Sequence, residues 1–132
     1  TFAKRYPYVA ELSNFRYEEH SDSDYFTVLK QLDSAMYSIA GIDKGVHLYD
    51  RSIAAAIFVA TAGNFKTMRL IMSDALKSCL QRDGPCELNL ADFHIACECI
   101  SLRDRLADEN PFALELTTNL KTINDYQEKV NE

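Results

Sequence analysis

The chain has 132 residues, 20 acidic against 14 basic side chains for a net charge of −6, and 47% hydrophobic residues. That length fits one domain with a core of its own. The acidic balance excludes a chain that wraps nucleic acid or an anionic membrane by overall charge, leaving room only for a local basic patch.

No apolar run approaches the roughly 20 residues that span a bilayer, and no signal-peptide pattern opens the chain. The expectation is a soluble, cytoplasmic protein without membrane contact. Its four cysteines are Cys79, Cys86, Cys97 and Cys99. None forms a CxxC pair, and Cys97 and Cys99 would project about 200° apart on a helix, so reduced thiols are expected rather than a zinc site.

In chain order, Thr1 to Arg5 reads as the end of something larger, and Pro7 biases Tyr6 toward extended geometry. Tyr8 to Leu12 alternates enough for one short extended segment. Between Glu11 and Asp33 stand six acids (Glu11, Glu18, Glu19, Asp22, Asp24, Asp33) against Arg16 and Lys30, a face expected to be solvated. Ser23 or Asp24 can cap an amphipathic helix carrying Tyr25, Phe26, Val28, Leu29, Leu32, Ala35 and Met36 at helical intervals. Residues 38–49 contain Gly41 and Gly45 and read as a loop, with Ile39, Ile42, Val46 and Leu48 turned inward. His47 has no second His or Cys at ligand spacing and reads as a loop histidine. Asp50 is placed to cap the helix that begins near Ser52.

The stretch Ser52–Leu80 is two helices joined at Ala62-Gly63-Asn64. Ile53, Ala56, Ile57 and Ala60 share one face of the first. Gly63 can take the left-handed conformation that ends a helix, and Asn64 can cap the next. The second carries Phe65, Met68, Ile71, Met72, Ala75, Leu76, Cys79 and Leu80 on one face. Its other face carries Lys66, Arg69, Asp74, Lys77 and Gln81. Lys66 and Arg69 stand directly behind the corner, where they are either solvated or available to an anion. Gly84-Pro85 punctuates the end of this helix.

Cys86-Glu87-Leu88 is a short extended link. Asn89 opens a helix with Asp92 at its third position, a capping-box arrangement. His94 and Glu98 lie one turn apart, a helix-surface pair rather than an acid–base couple. Asn110-Pro111 marks a break, after which Phe112, Leu114, Leu116, Leu120, Ile123, Tyr126 and Val130 can form one more amphipathic segment. This tail either packs back or meets a partner. The expected fold is all-α, a small bundle of four to five helices: an extended link over 1–22, a helical domain over 23–109 and a tail over 110–132.

Phe2-Ala3-Lys4-Arg5-Tyr6, the link to Leu12, a helix, a glycine-containing loop, then Ala60-Thr61-Ala62-Gly63-Asn64-Phe65-Lys66 and Leu88-x-x-Ala91-Asp92-Phe93 form a further pattern. Over residues 1–102 it resembles the C-terminal lid region of AAA+ ATPases of the TniB/TnsC kind, regulators of cut-and-paste transposons. The resemblance implies that Arg5 occupies an arginine-finger-like place near a neighbouring subunit's nucleotide. It implies that Lys66 holds the lid's sensor position, commonly Arg, with a point charge in place of a fork, and that Arg69 is a second candidate. It further implies a parent protein that binds ATP and Mg, touches DNA, and meets a transposase or target-selection protein. This chain would then contact its own ATPase core and neighbouring subunits.

No GxxxxGK[ST] phosphate loop occurs in the chain, so no cofactor is expected on this segment alone. The alternative reading is a helical adaptor that binds a partner through an apolar groove or the tail. Ser, Cys and His residues stand at no spacing that pairs a nucleophile with a base.

Overall fold

The computed structural model describes residues 15–20, 22–42, 44–82, 87–99 and 105–130. The helices are α1 (Asp24–Ala40), α2 (Arg51–Thr61), α3 (Phe65–Gln81), α4 (Leu90–Cys99) and α5 (Leu116–Val130), with a 3-10 turn over Pro111–Ala113. The short strands β1 (Lys44–Gly45) and β2 (Glu87–Leu88) pair in parallel, Lys44 opposite Glu87. The architecture is the expected all-α bundle with one two-stranded patch of sheet added. The Tyr8–Leu12 extended segment lies outside the described residues.

Helix α2 is the centre of the molecule. Every residue from Ile53 to Thr61 is buried, so the helix is enclosed on all sides rather than on the single face its spacing predicts. The reason is composition: Ala54, Ala55, Ala56 and Ala60 are small enough for neighbours to approach from every direction, while Ile57, Phe58 and Val59 fill the gaps. Tyr25 of α1 donates its hydroxyl to Ala54 O at 2.6 Å, which satisfies a buried polar group inside this apolar contact. On another side Phe58 meets Tyr126 of α5 with ring centroids 6.3 Å apart.

The segment after Asn110-Pro111 packs back. Ile123 is fully buried, and Gln127 of α5 is bonded both ways to the backbone of Tyr17, accepting from its N–H at 2.8 Å and donating to its carbonyl at 3.3 Å. The segment around Tyr17 and helix α5 are thereby tied directly to one another. Phe112 stacks on Phe93 of α4 at 5.5 Å, and Asn110 opens the 3-10 turn by accepting from Phe112 N–H at 3.0 Å.

The caps explain the helix limits. Ser23 Oγ accepts from Phe26 N–H and starts α1. Asp50 precedes α2, but its carboxylate accepts from His47 N–H at 2.9 Å and makes no bond to α2, so the expected side-chain cap is corrected. Asn89 N–H donates to Asp92 Oδ2 at 2.9 Å, the backward half of the capping box. Asp92 is fully buried and also receives Ser78 Oγ and the Arg82 guanidinium, which locks α4 onto the end of α3.

The stretch read as a loop over 38–49 is partly regular: α1 runs on to Ala40, and Lys44–Gly45 is strand β1. Ile42 and Leu48 do turn inward. Ile39 does not, being 86% exposed, because α1 continues through it and places it on the outer side.

Candidate functional site

The junction of α2 and α3 is built from backbone geometry. Ala62 ends α2 with φ +54° and Gly63 follows with φ +81°, two successive residues in the left-handed region. Only the second is a glycine, and it must be. A Cβ on Gly63 would collide with the backbone carbonyl of Phe15, whose N–H donates to Gly63 O at 2.7 Å. Thr61 Oγ1 donates to Ile57 O at 2.8 Å and accepts from Gly63 N–H at 3.2 Å, so the turn is pinned from inside as well. Asn64 Oδ1 then accepts from Thr67 N–H at 3.2 Å and starts α3.

Behind this corner Lys66 and Arg69 are both exposed, three residues apart and therefore on one helical face. The first turn of α3 contains no acid, so the positive end of the helix dipole adds to their charge. The Arg69 guanidinium lies 5.9 Å from the centre of the Phe65 ring, and Phe65 in turn meets Phe15 edge-on at 6.3 Å. The chain entering from upstream thus arrives at the same corner that displays the two cations. Arg5 lies outside the described residues, so the structure brings Lys66 and Arg69 together and is silent on the third predicted residue.

From Arg69 an apolar groove of about 340 Å³ runs between α1 and α3, lined by Leu32, Met36 and Ile39 on one wall and Met72 and Leu76 on the other.

On the opposite edge of α1 stands a constellation that the residue spacing did not reveal. His47 Nδ1 lies 2.8 Å from Asp33 Oδ2, and the imidazole packs between Tyr37 (4.8 Å) and Tyr49 (5.0 Å, 16° from coplanar). Asp33, one of the acids expected to be solvated between Glu11 and Asp33, is buried instead. Its other oxygen accepts from Leu48 N–H at 2.9 Å. Both carboxylate oxygens therefore hold the 46–50 segment against α1, and His47 is a fixed ring rather than a plain loop histidine. Tyr37 donates to Val46 O at 2.5 Å, and burial, reinforced by the nearby Asp33 and Asp50 carboxylates, pushes its hydroxyl up to about 12. A sequence signal for this site did exist. Asp33 sits between Leu29 and Met36 on the buried stripe of α1, and a lone acid on a buried stripe requires a partner.

The remaining polar candidates fall into supporting roles. Glu98 receives Asn110 Nδ2 at 3.2 Å, and the same amide donates to the His94 carbonyl at 2.9 Å, so this turn of α4 anchors the 3-10 segment. Cys79 and Cys97 are buried, Cys79 donating to Glu87 O at 3.2 Å beside β2. Cys86 lies outside the described residues. Among the described residues no group of three or more metal-ligating side chains converges, and no helix is long and apolar enough to cross a membrane.

No protein-family model matches the chain, and no curated protein or solved structure matches it either.

Proposed function

We propose that this chain is a lid-like helical module of an AAA+ ATPase of the kind that regulates DNA transposition, working in the cytoplasm through its own ATPase core and neighbouring subunits. The observation that carries the reading is the shared position of Phe15 and Lys66. The backbone that leads to any upstream core is bonded to Gly63, two residues before the helix whose first two turns expose Lys66 and Arg69. A core attached through that segment lies within reach of both cations.

The residues present suit the edge of a nucleotide, not its whole site. Lys66 offers a mobile point charge and Arg69 a planar fork, both adapted to phosphate oxygens. The chain contains no loop of glycines and backbone amides that would cradle the phosphates, so ATP and Mg belong to the core. In this reading the corner moves as one rigid piece, and the two cations stabilise charge on the phosphoryl group from outside. Arg5 acts across the subunit boundary, and DNA and a transposase or target-selection protein are met by the assembled parent.

The test is the coding sequence upstream of the Thr1 codon, followed by ATPase assays on the encoded protein. A GxxxxGK[ST] motif within roughly 200 residues upstream, a domain's length, supports the reading. In that protein Lys66→Ala is expected to lower turnover at least about ten-fold, the scale of one lost charged contact to the phosphoryl group. A start codon directly before Thr1, or unchanged turnover and nucleotide affinity in Lys66→Ala, overturns it and leaves a helical adaptor.

A further inference from the structure

We infer that the groove between α1 and α3 receives an amphipathic helix of a partner protein that carries an acidic side chain at one end of its apolar stripe. The inference rests on the groove itself; it shares Arg69 with the nucleotide reading but does not require that reading.

The groove is made by two helical stripes. Leu32, Met36 and Ile39 recur at intervals of four and three on α1, and Arg69, Met72 and Leu76 at three and four on α3. From Arg69 to Leu76 is seven residues, a length of about 10 Å at helical rise, or two turns of a bound helix. Ile39 stands 86% exposed on its rim, an apolar side chain left in water at the place where a third helix would cover it. Met36 and Met72 are unbranched and adjust to an incoming side chain, as methionine does at helix-binding surfaces.

Charge selects the partner. Among the described residues that line the groove, Arg69 alone is charged, and it stands at the end nearest the corner with Lys66 one turn beyond. No carboxylate among the described residues pairs with Arg69; its contact is the Phe65 ring. A chain of net charge −6 thus presents, beside its apolar groove, a cation that no acid among the described residues pairs with. A partner acid there gains the pairing without competing against an internal one. Two copies of this chain are a poorer fit, because a two-fold pairing sets one concavity against another.

The test uses two labelled helical peptides of about 16 residues, long enough to hold a two-turn stripe. Each carries leucines at i, i+3, i+4 and i+7; one has Glu and the other Lys beside the stripe end, and binding is followed by fluorescence anisotropy. The Glu peptide is expected to bind at least roughly ten-fold more tightly than the Lys peptide, and the gap is expected to shrink in about 0.5 M salt. Arg69→Glu reverses the preference, Arg69→Gln abolishes it, and Ile39→Asp weakens both peptides while the circular dichroism melt is unchanged. Methyl shifts of Ile39, Met36 and Met72 on titration locate the contact. Equal binding of both peptides, or no binding of the Glu peptide at roughly 1 mM, overturns the inference. So does binding that survives Ile39→Asp. A concentration-dependent dimer that Ile39→Asp dissociates overturns it in favour of a second copy. Ile39 lies away from the Lys66 face, so loss of peptide binding in Ile39→Asp and loss of ATPase in Lys66→Ala are separable failures.

Discussion

The two sides of the bundle use similar side chains to opposite ends. Around α2, apolar residues meet from α1, α5 and the entering segment, and Phe58 is sealed by Tyr17, Tyr25 and Tyr126 at ring distances of 5.5, 5.5 and 6.3 Å. Along the outer seam of α1 and α3 the same residue types stop short of closure, and Ile39 remains in water. The difference is one of partners rather than of hydrophobicity. Burial follows from how many elements the topology can bring to a helix, and α2 is buried at every residue from Ile53 to Thr61.

The largest test of this contrast is Phe58→Ala. Deleting a fully buried ring is expected to cost about 4 kcal/mol in chemical denaturation, the usual range for a phenylalanine cavity. A cost near 1 kcal/mol would mean that α2 is far less sealed than described. Next comes Gly63→Ala, expected to destabilise by about 3 kcal/mol, because positive φ and the collision with the Phe15 carbonyl add together. Ala62 already holds the same region with a side chain, at φ +54°, so Ala62→Gly is expected to change stability by well under that amount. Asp33→Ala leaves Leu48 N–H and His47 without their acceptor and is expected to cost about 2 kcal/mol in the same assay, with Asp33→Asn recovering part by keeping one acceptor.

Alkaline pH probes the sealed side differently. Burial raises the hydroxyls of Tyr25 and Tyr37 above their ordinary value, Tyr37 to about 12. A raised pKa means that the folded protein keeps protons which the unfolded chain releases. The contribution is therefore complete below pH 10 and is lost as pH rises from there toward 12. Melting temperature is expected to fall across that window, and less steeply in Tyr37→Phe. A flat profile would place both hydroxyls in water. The smallest effect is on the open side: Ile39→Asp is expected to shift stability by no more than about 0.5 kcal/mol, as for other exposed positions. A loss of several times that size would mean the groove is closed in solution.

Much of this arrangement is legible before folding. The spacing of Tyr25, Phe26, Leu29 and Met36 places α1, and Met68, Ile71, Ala75 and Cys79 place α3, although Asp33 joins the buried face of α1 and Leu80, expected on the apolar face of α3, is exposed. Ser23, Asn64 and the Asn89–Asp92 pair mark helix starts because a cap is a local bargain between a side chain and orphan amides a few residues away. The exposed position of Lys66 and Arg69 follows from the same periodicity.

What a local rule does not reach is long-range. Strands of two residues leave no alternation to read, and β1 and β2 exist only because each finds the other across 43 positions of sequence, Lys44 against Glu87. Gly45 shows the cost of that closeness: its hydrogen faces the Leu88 backbone where a Cβ would not fit. Asp33 and His47 likewise look unrelated at a spacing of fourteen until the turn after α1 brings the ring back over the carboxylate.

By itself, then, the sequence determined the helices, most of their caps, the corner at Ala62-Gly63-Asn64 and the two cations behind it, since each depends on interactions within a few residues. Only the tertiary structure decided that α2 is enclosed, that α5 closes the bundle through Gln127 and Tyr17, that Asp33 is a buried anchor, and that a groove stays open beside Arg69. Those outcomes depend on which distant surfaces meet, and hydrophobic burial, being non-directional, leaves that choice to topology.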